Sequence, residues 1–147
     1  MNTMIKRLTW FIAVVLLLAS CKKEGEVFTV TEGTFPASAL STTSNAVVLT
    51  QATENETAVT FNWLAADFGK QPVIAYTLQL DVPADTAGTN GWSNATIIIA
   101  GNNVLTYSFI TKDLNSILNG LGMIPGTAQN FVARIKAEVP QNNGTPS

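Results

Sequence analysis

From about residue 46 onward, apolar and polar positions alternate in short runs separated by turn chemistry, the period-2 signature of half-buried strands. The first run is Ala46 to Thr50, and the second is Ala58 to Trp63, with Val59, Phe61 and Trp63 on one face and Thr60 and Asn62 on the other. A third, Ile74 to Leu80, aligns Ile74, Tyr76, Leu78 and Leu80 inward before Asp81 and Pro83 end it. The polar loop from Asp85 to Asn94 precedes Thr96 to Ile99, and Gly101-Asn102-Asn103 turns the chain into Leu105 to Phe109. These last two runs read as a hairpin-like pair.

The period then changes. Leu114, Ile117, Leu118 and Leu121 recur at helical spacing, Thr111 is placed to cap the helix, and Asp113 falls in its first turn, where the helix dipole favours a negative charge. Gly120 or Gly122 can end it. The final run, Phe131 to Val139, has the cleanest alternation and is read as a central strand. Six strands with short connections and one small helix define an all-β chain: an immunoglobulin or fibronectin III-like antiparallel β-sandwich, which ordinarily has about seven strands. Its last strand is missing. Asn143-Gly144 is a favoured two-residue hairpin turn, which predicts that a strand pairing with Phe131 to Val139 lies just past Ser147.

The N-terminal part has a different pattern. Lys6 and Arg7 precede an apolar run from Leu8 to Ala19, the basic and hydrophobic regions of a secretory signal. A membrane-spanning helix needs about 20 apolar residues, and this run ends at Ser20, Cys21 and the charged stretch Lys22 to Glu26. Leu18-Ala19-Ser20-Cys21 resembles a bacterial lipobox, in which an apolar and two small residues fit the signal peptidase and the thiol receives diacylglycerol. Cys21 is the single cysteine of the chain, and lipid attachment accounts for an unpaired thiol in an exported protein. At roughly 0.8 kcal/mol per buried methylene, two or three acyl chains hold a protein on a bilayer where one would not. The domains read from the sequence are therefore a signal peptide over 1–20, a lipid-anchored tether over 21–44 and a sandwich domain over 45–147. Val27 to Val30 is a possible brief strand within the tether.

Composition narrows the function. Removing the signal takes Lys6 and Arg7 of the eight basic residues and none of the ten acidic ones, leaving a net charge of −4. The remaining Lys and Arg are scattered, so no nucleic-acid footprint exists. About 125 residues suffice for one core. There is no histidine, and with Cys21 consumed by lipid the usual zinc ligands and the usual general base are both missing. No cofactor and no enzymatic activity are expected.

Sugar-binding proteins present flat aromatic faces to the C–H groups of the ring, so each Trp and Tyr is a candidate. Trp63, Tyr76 and Tyr107 fall on the inward register of their strands, which makes them core residues. Trp92 sits in the polar loop Asn90-Gly91-Trp92-Ser93-Asn94 and is the one candidate stacking platform, against the alternative that it folds back to close the end of the sandwich. Asp81 and Asp85, near Asn90 and Asn94, match no standard calcium loop. No pair of acids stands out for glycosidase chemistry.

The order of Val59-Thr60-Phe61-Asn62-Trp63-Leu64-Ala65-Ala66-Asp67-Phe68-Gly69, Tyr76 to Leu80, Gly88 to Trp92, Thr111 to Asn115 and Ala133 to Ala137 resembles the N-terminal domain of SusE-type outer-membrane lipoproteins. The resemblance implies a cell-surface lipoprotein of glycan uptake, anchored in the outer membrane by acylated Cys21. It would work beside a TonB-dependent transporter and a SusD-like lipoprotein. In that family the N-terminal domain is a spacer, and polysaccharide binds to later modules, here past Ser147. Two other readings stay open: a fimbrial-type subunit completed by a donated strand, and an accessory module of a surface glycoside hydrolase.

Overall fold

The computed structural model describes residues 33–36, 38–69 and 72–140; the signal, the lipobox with Cys21, Val27 to Val30 and the Asn143-Gly144 turn lie outside them. Six strands and one helix follow in order: β1 (Leu40–Thr42), β2 (Thr57–Trp63), β3 (Ala75–Asp81), β4 (Thr96–Asn102), β5 (Thr106–Ile110), α1 (Thr111–Gly120) and β6 (Val132–Glu138). They form two antiparallel three-stranded sheets, ordered β1-β2-β5 and β4-β3-β6.

Alternation decides which side chains lie between the sheets. Val59, Phe61 and Trp63 of β2 and Phe109 of β5 come from one sheet, Tyr76, Leu78 and Leu80 of β3 from the other, and all are buried in one cluster with Ile74 and Leu114. Aromatic packing works within and between the layers: the Phe61 and Phe109 rings, both of the first sheet, meet edge-on at 5.9 Å, and Trp63 and Tyr76 lie 5.9 Å apart across the core. The inward register expected for β2 and β3 is the one observed, and the chain is an all-β sandwich with one helix.

Four local expectations are revised. Ala46 to Thr50 is not a strand; Val47 and Leu49 pack on the core with Val48 83% exposed, so the alternation is real but no strand among the described residues pairs with it. Part of the segment read as tether instead forms β1, whose three residues pair with β2 through Leu40–Trp63, Ser41–Asn62 and Thr42–Phe61. The runs at Thr96 and Leu105 are not a hairpin, because β4 joins β3 while β5 joins β2. Asn103, at φ 53, makes that crossover: its N–H donates to the Ile74 carbonyl at 2.7 Å and its Oδ1 accepts the Ile74 N–H at 3.0 Å. Finally, β6 is not central; β3 holds that place, and β6 has a free edge among the described residues.

Two further details fix the frame. A β-bulge separates the Tyr76–Gly101 and Thr77–Ile99 pairs, and Gly101 takes φ 125, a conformation that side-chain-bearing residues rarely adopt. Thr111 is the first residue of α1 and not its cap. It is buried, and both its N–H and its hydroxyl donate to the Glu56 carbonyl, at 2.9 and 3.4 Å, so the helix is docked to the segment before β2. No helix among the described residues is long and apolar enough to cross a membrane.

Candidate functional site

The loop after β3 carries the candidate aromatic residue. Pro83–Asp85 forms one turn of 3-10 helix, and the Asp85 carbonyl accepts the Trp92 N–H at 2.7 Å, closing the loop back on itself. Asn94 Nδ2 reaches Asp85 Oδ2 at 3.4 Å. Gly91 has no room for a side chain, since a Cβ there would sit 2.7 Å from the Thr86 carbonyl oxygen. Trp92 itself takes φ 67, a strained backbone for a bulky residue, which persists only where the surroundings hold it.

Arg134 packs on its ring. Its guanidinium carbon lies 4.3 Å from the centroid of the Trp92 ring, and its Nε donates to Gln79 Oε1 at 2.6 Å. Gln79 and Arg134 face each other across the β3–β6 pairing, so the sheet sets the guanidinium in place and the loop lays its ring against it. A half-buried Trp92 therefore spends one ring face on a cation. The sequence held no signal for this contact, because its partners come from a loop and a strand far apart in the chain.

The other candidates resolve differently. Trp63 and Tyr76 are buried in the core, and the Tyr76 hydroxyl accepts the Ala66 N–H at 3.0 Å. Tyr107 is half-buried against Phe109, with ring centroids 4.8 Å apart. Asp81 is wholly buried; its Oδ1 accepts the Val82 N–H at 2.8 Å, and its Oδ2 has no partner among the described residues. It does not join Asp85 in a metal site: among the described residues no group of three or more potential ligands gathers.

A broad concavity lies elsewhere. An open trough of about 940 Å³ runs along the side of the sandwich between the β1 segment and β6, lined by Val47, Leu49, Val59, Phe61, Leu118 and Phe131 among others. Its walls are mixed polar and apolar, and they hold no Asp, Glu, Lys or Arg. Such a surface offers shape and apolar area without groups for acid–base chemistry.

The described residues form a β-sandwich with Phe61, Trp63, Tyr76 and Phe109 packed in its core and the Trp92 ring laid against Arg134. The comparisons with known proteins say which kind. The family model of the SusE outer membrane protein matches residues 22–136, and the chain belongs to that family. It is an outer-membrane surface protein of the Sus system. Comparison with curated proteins and with solved structures finds no match.

Proposed function

We propose that this domain is a non-catalytic, lipid-anchored spacer in the capture and uptake of starch or a related glycan. It stands between acylated Cys21 and sugar-binding modules past Ser147, beside a TonB-dependent transporter and a SusD-like lipoprotein. The observation that carries the reading is the use made of the aromatic side chains in a SusE-family sandwich. Phe61, Trp63, Tyr76 and Phe109 are buried against one another, and one face of the Trp92 ring is occupied by Arg134. Among the described residues the half-buried Trp92 is the candidate for stacking a sugar, on its other face.

Calorimetric titration of the soluble domain with starch tests this. A spacer gives no heat of binding. Saturable binding that Trp92→Ala abolishes would instead make the domain a glycan receptor. A fimbrial-type subunit remains the second reading because β6 has a free edge that a donated strand could join.

A further inference from the structure

A sheet edge invites another strand unless something turns it away, and charged side chains, proline and brevity are the usual guards. Among the described residues the two sheets leave edges at β1, β5, β4 and β6. β1 is three residues long. β5 runs directly into α1, and the outer face of its sheet is polar: Thr60, Asn62, Thr106 and Ser108, with the Thr60 and Ser108 hydroxyls 2.7 Å apart. β6 carries Arg134, Lys136 and Glu138 on its outward face.

β4 has none of these guards. Thr96 to Asn102 contains no charged residue and no proline. Its inward residues Ile98 and Ala100 pack on the core, while the outward Ile97 and Ile99 are 63% and 80% exposed. Thr96 to Ile99 pair with β3 in unbroken register and the bulge begins past Ile99, so the edge is regular where the isoleucines stand. Single apolar residues on a surface are ordinary, but two on one face of an open, uncharged strand make a site for association.

We propose that β4 is a self-association edge: it pairs antiparallel with β4 of a second copy and joins two three-stranded sheets into one of six strands, about a two-fold axis at Ile98. Directly opposed residues of neighbouring strands share a face, so outward residues must meet outward residues. A two-fold at Ile98 is the register that sets isoleucine against isoleucine twice: Ile97 of each copy lies opposite Ile99 of the other, and Thr96 opposite Ala100. The occupant follows from charge. A charged partner strand would find no counter-charge along β4, whereas a second copy brings the same neutral edge and leaves no unpaired charge to desolvate. The seam is short, on the small side of the about 1,200 Å² at which stable interfaces begin, so the dimer forms and dissociates with concentration. Tethering to a membrane would raise the local concentration and favour pairing; that consequence rests on the spacer reading, and the seam does not.

Sedimentation equilibrium of the chain begun at Lys22, which lacks both lipid and thiol, tests the proposal. The average mass should climb from one chain toward two as the concentration rises about 100-fold to about 1 mM. Ile99→Lys should weaken the association at least about 10-fold, since a lysine then faces Ile97 of the other copy in the seam. Its urea midpoint should stay unchanged, because the side chain is exposed in the single domain. Ile124→Lys, at a position 66% exposed and outside β4, should leave the association as it was. The register has its own check: mixing the Ile99→Lys protein with an Ile97→Glu protein sets opposite charges against each other and should restore dimers that neither forms alone. A chain that stays monomeric throughout overturns the proposal, even where the outward β4 amides exchange slowly, since another segment of the chain then covers the edge. Association that survives Ile99→Lys overturns it as well, by placing the interface elsewhere.

Discussion

Tyr76 shows how much one side chain can decide. Its ring fills the core beside Trp63, while its hydroxyl accepts the buried Ala66 N–H that anchors the loop leading from β2 to β3. Tyr76→Phe keeps the packing and strands that N–H, which costs about 1–3 kcal/mol, visible as a lower urea midpoint with an unchanged slope. At Trp92 the balance is different. Arg134→Ala removes the guanidinium from the ring and the bond to Gln79, at a cost of about 0.5–1 kcal/mol for so exposed a contact. The more telling measurement is Trp92 fluorescence, which should shift to the red as the ring is released from the cation; an unchanged spectrum would mean that the stack is absent in solution. The Lys136–Glu138 pair, 3.0 Å apart with both side chains more than half exposed, contributes little by comparison.

The elements separate what local pattern can and cannot reveal. Ile74 just before β3 and Tyr76, Leu78 and Leu80 within it recur every second residue and all are buried, so the strand and its inward face were legible from the sequence. Leu114 in α1 was legible for the same reason, and it is wholly buried; Leu114→Ala should cost about 2–5 kcal/mol in the same unfolding measurement. Pairing was not legible. The Gly101-Asn102-Asn103 run announces a turn, but it is the two Asn103–Ile74 hydrogen bonds that send β5 to the opposite sheet, and no local period encodes a bond to a residue so distant. Likewise the clean alternation of β6 reports one buried face and says nothing about how many neighbours the strand has. The Trp92–Arg134 contact escaped the sequence on the same ground, whereas the aromatic core positions did not. Gly33 adds a last constraint at this scale: a Cβ there would clash with the edge of the Phe68 ring. Gly33→Ala must push Phe68 aside and loosen the Thr34–Asp67 bridge, detectable as faster amide exchange at Asp67 with the rest of the sheet unchanged.

For the whole molecule, membership of the SusE family fixes the outer membrane as its place, and the means of attachment is the remaining physical question. Among the described residues no helix is long and apolar enough to cross a membrane. The lipobox proposed at Leu18-Ala19-Ser20-Cys21 would supply a means of attachment that depends on a single sulfur. Each acyl methylene buried in the bilayer contributes about 0.8 kcal/mol, so two or three chains make release negligible, while a serine hydroxyl at the same position receives none. Cys21→Ser should therefore move the protein from the outer-membrane fraction to the soluble fraction or leave it as uncleaved precursor. The described sandwich, which begins at Gly33, is expected to keep its fold. Mass spectrometry of the native protein gives the complementary check, a mature terminus at residue 21 carrying the mass of its lipid; a Cys21→Ser protein that stays on the membrane with an unmodified thiol in the parent would show that something other than lipid holds the domain there.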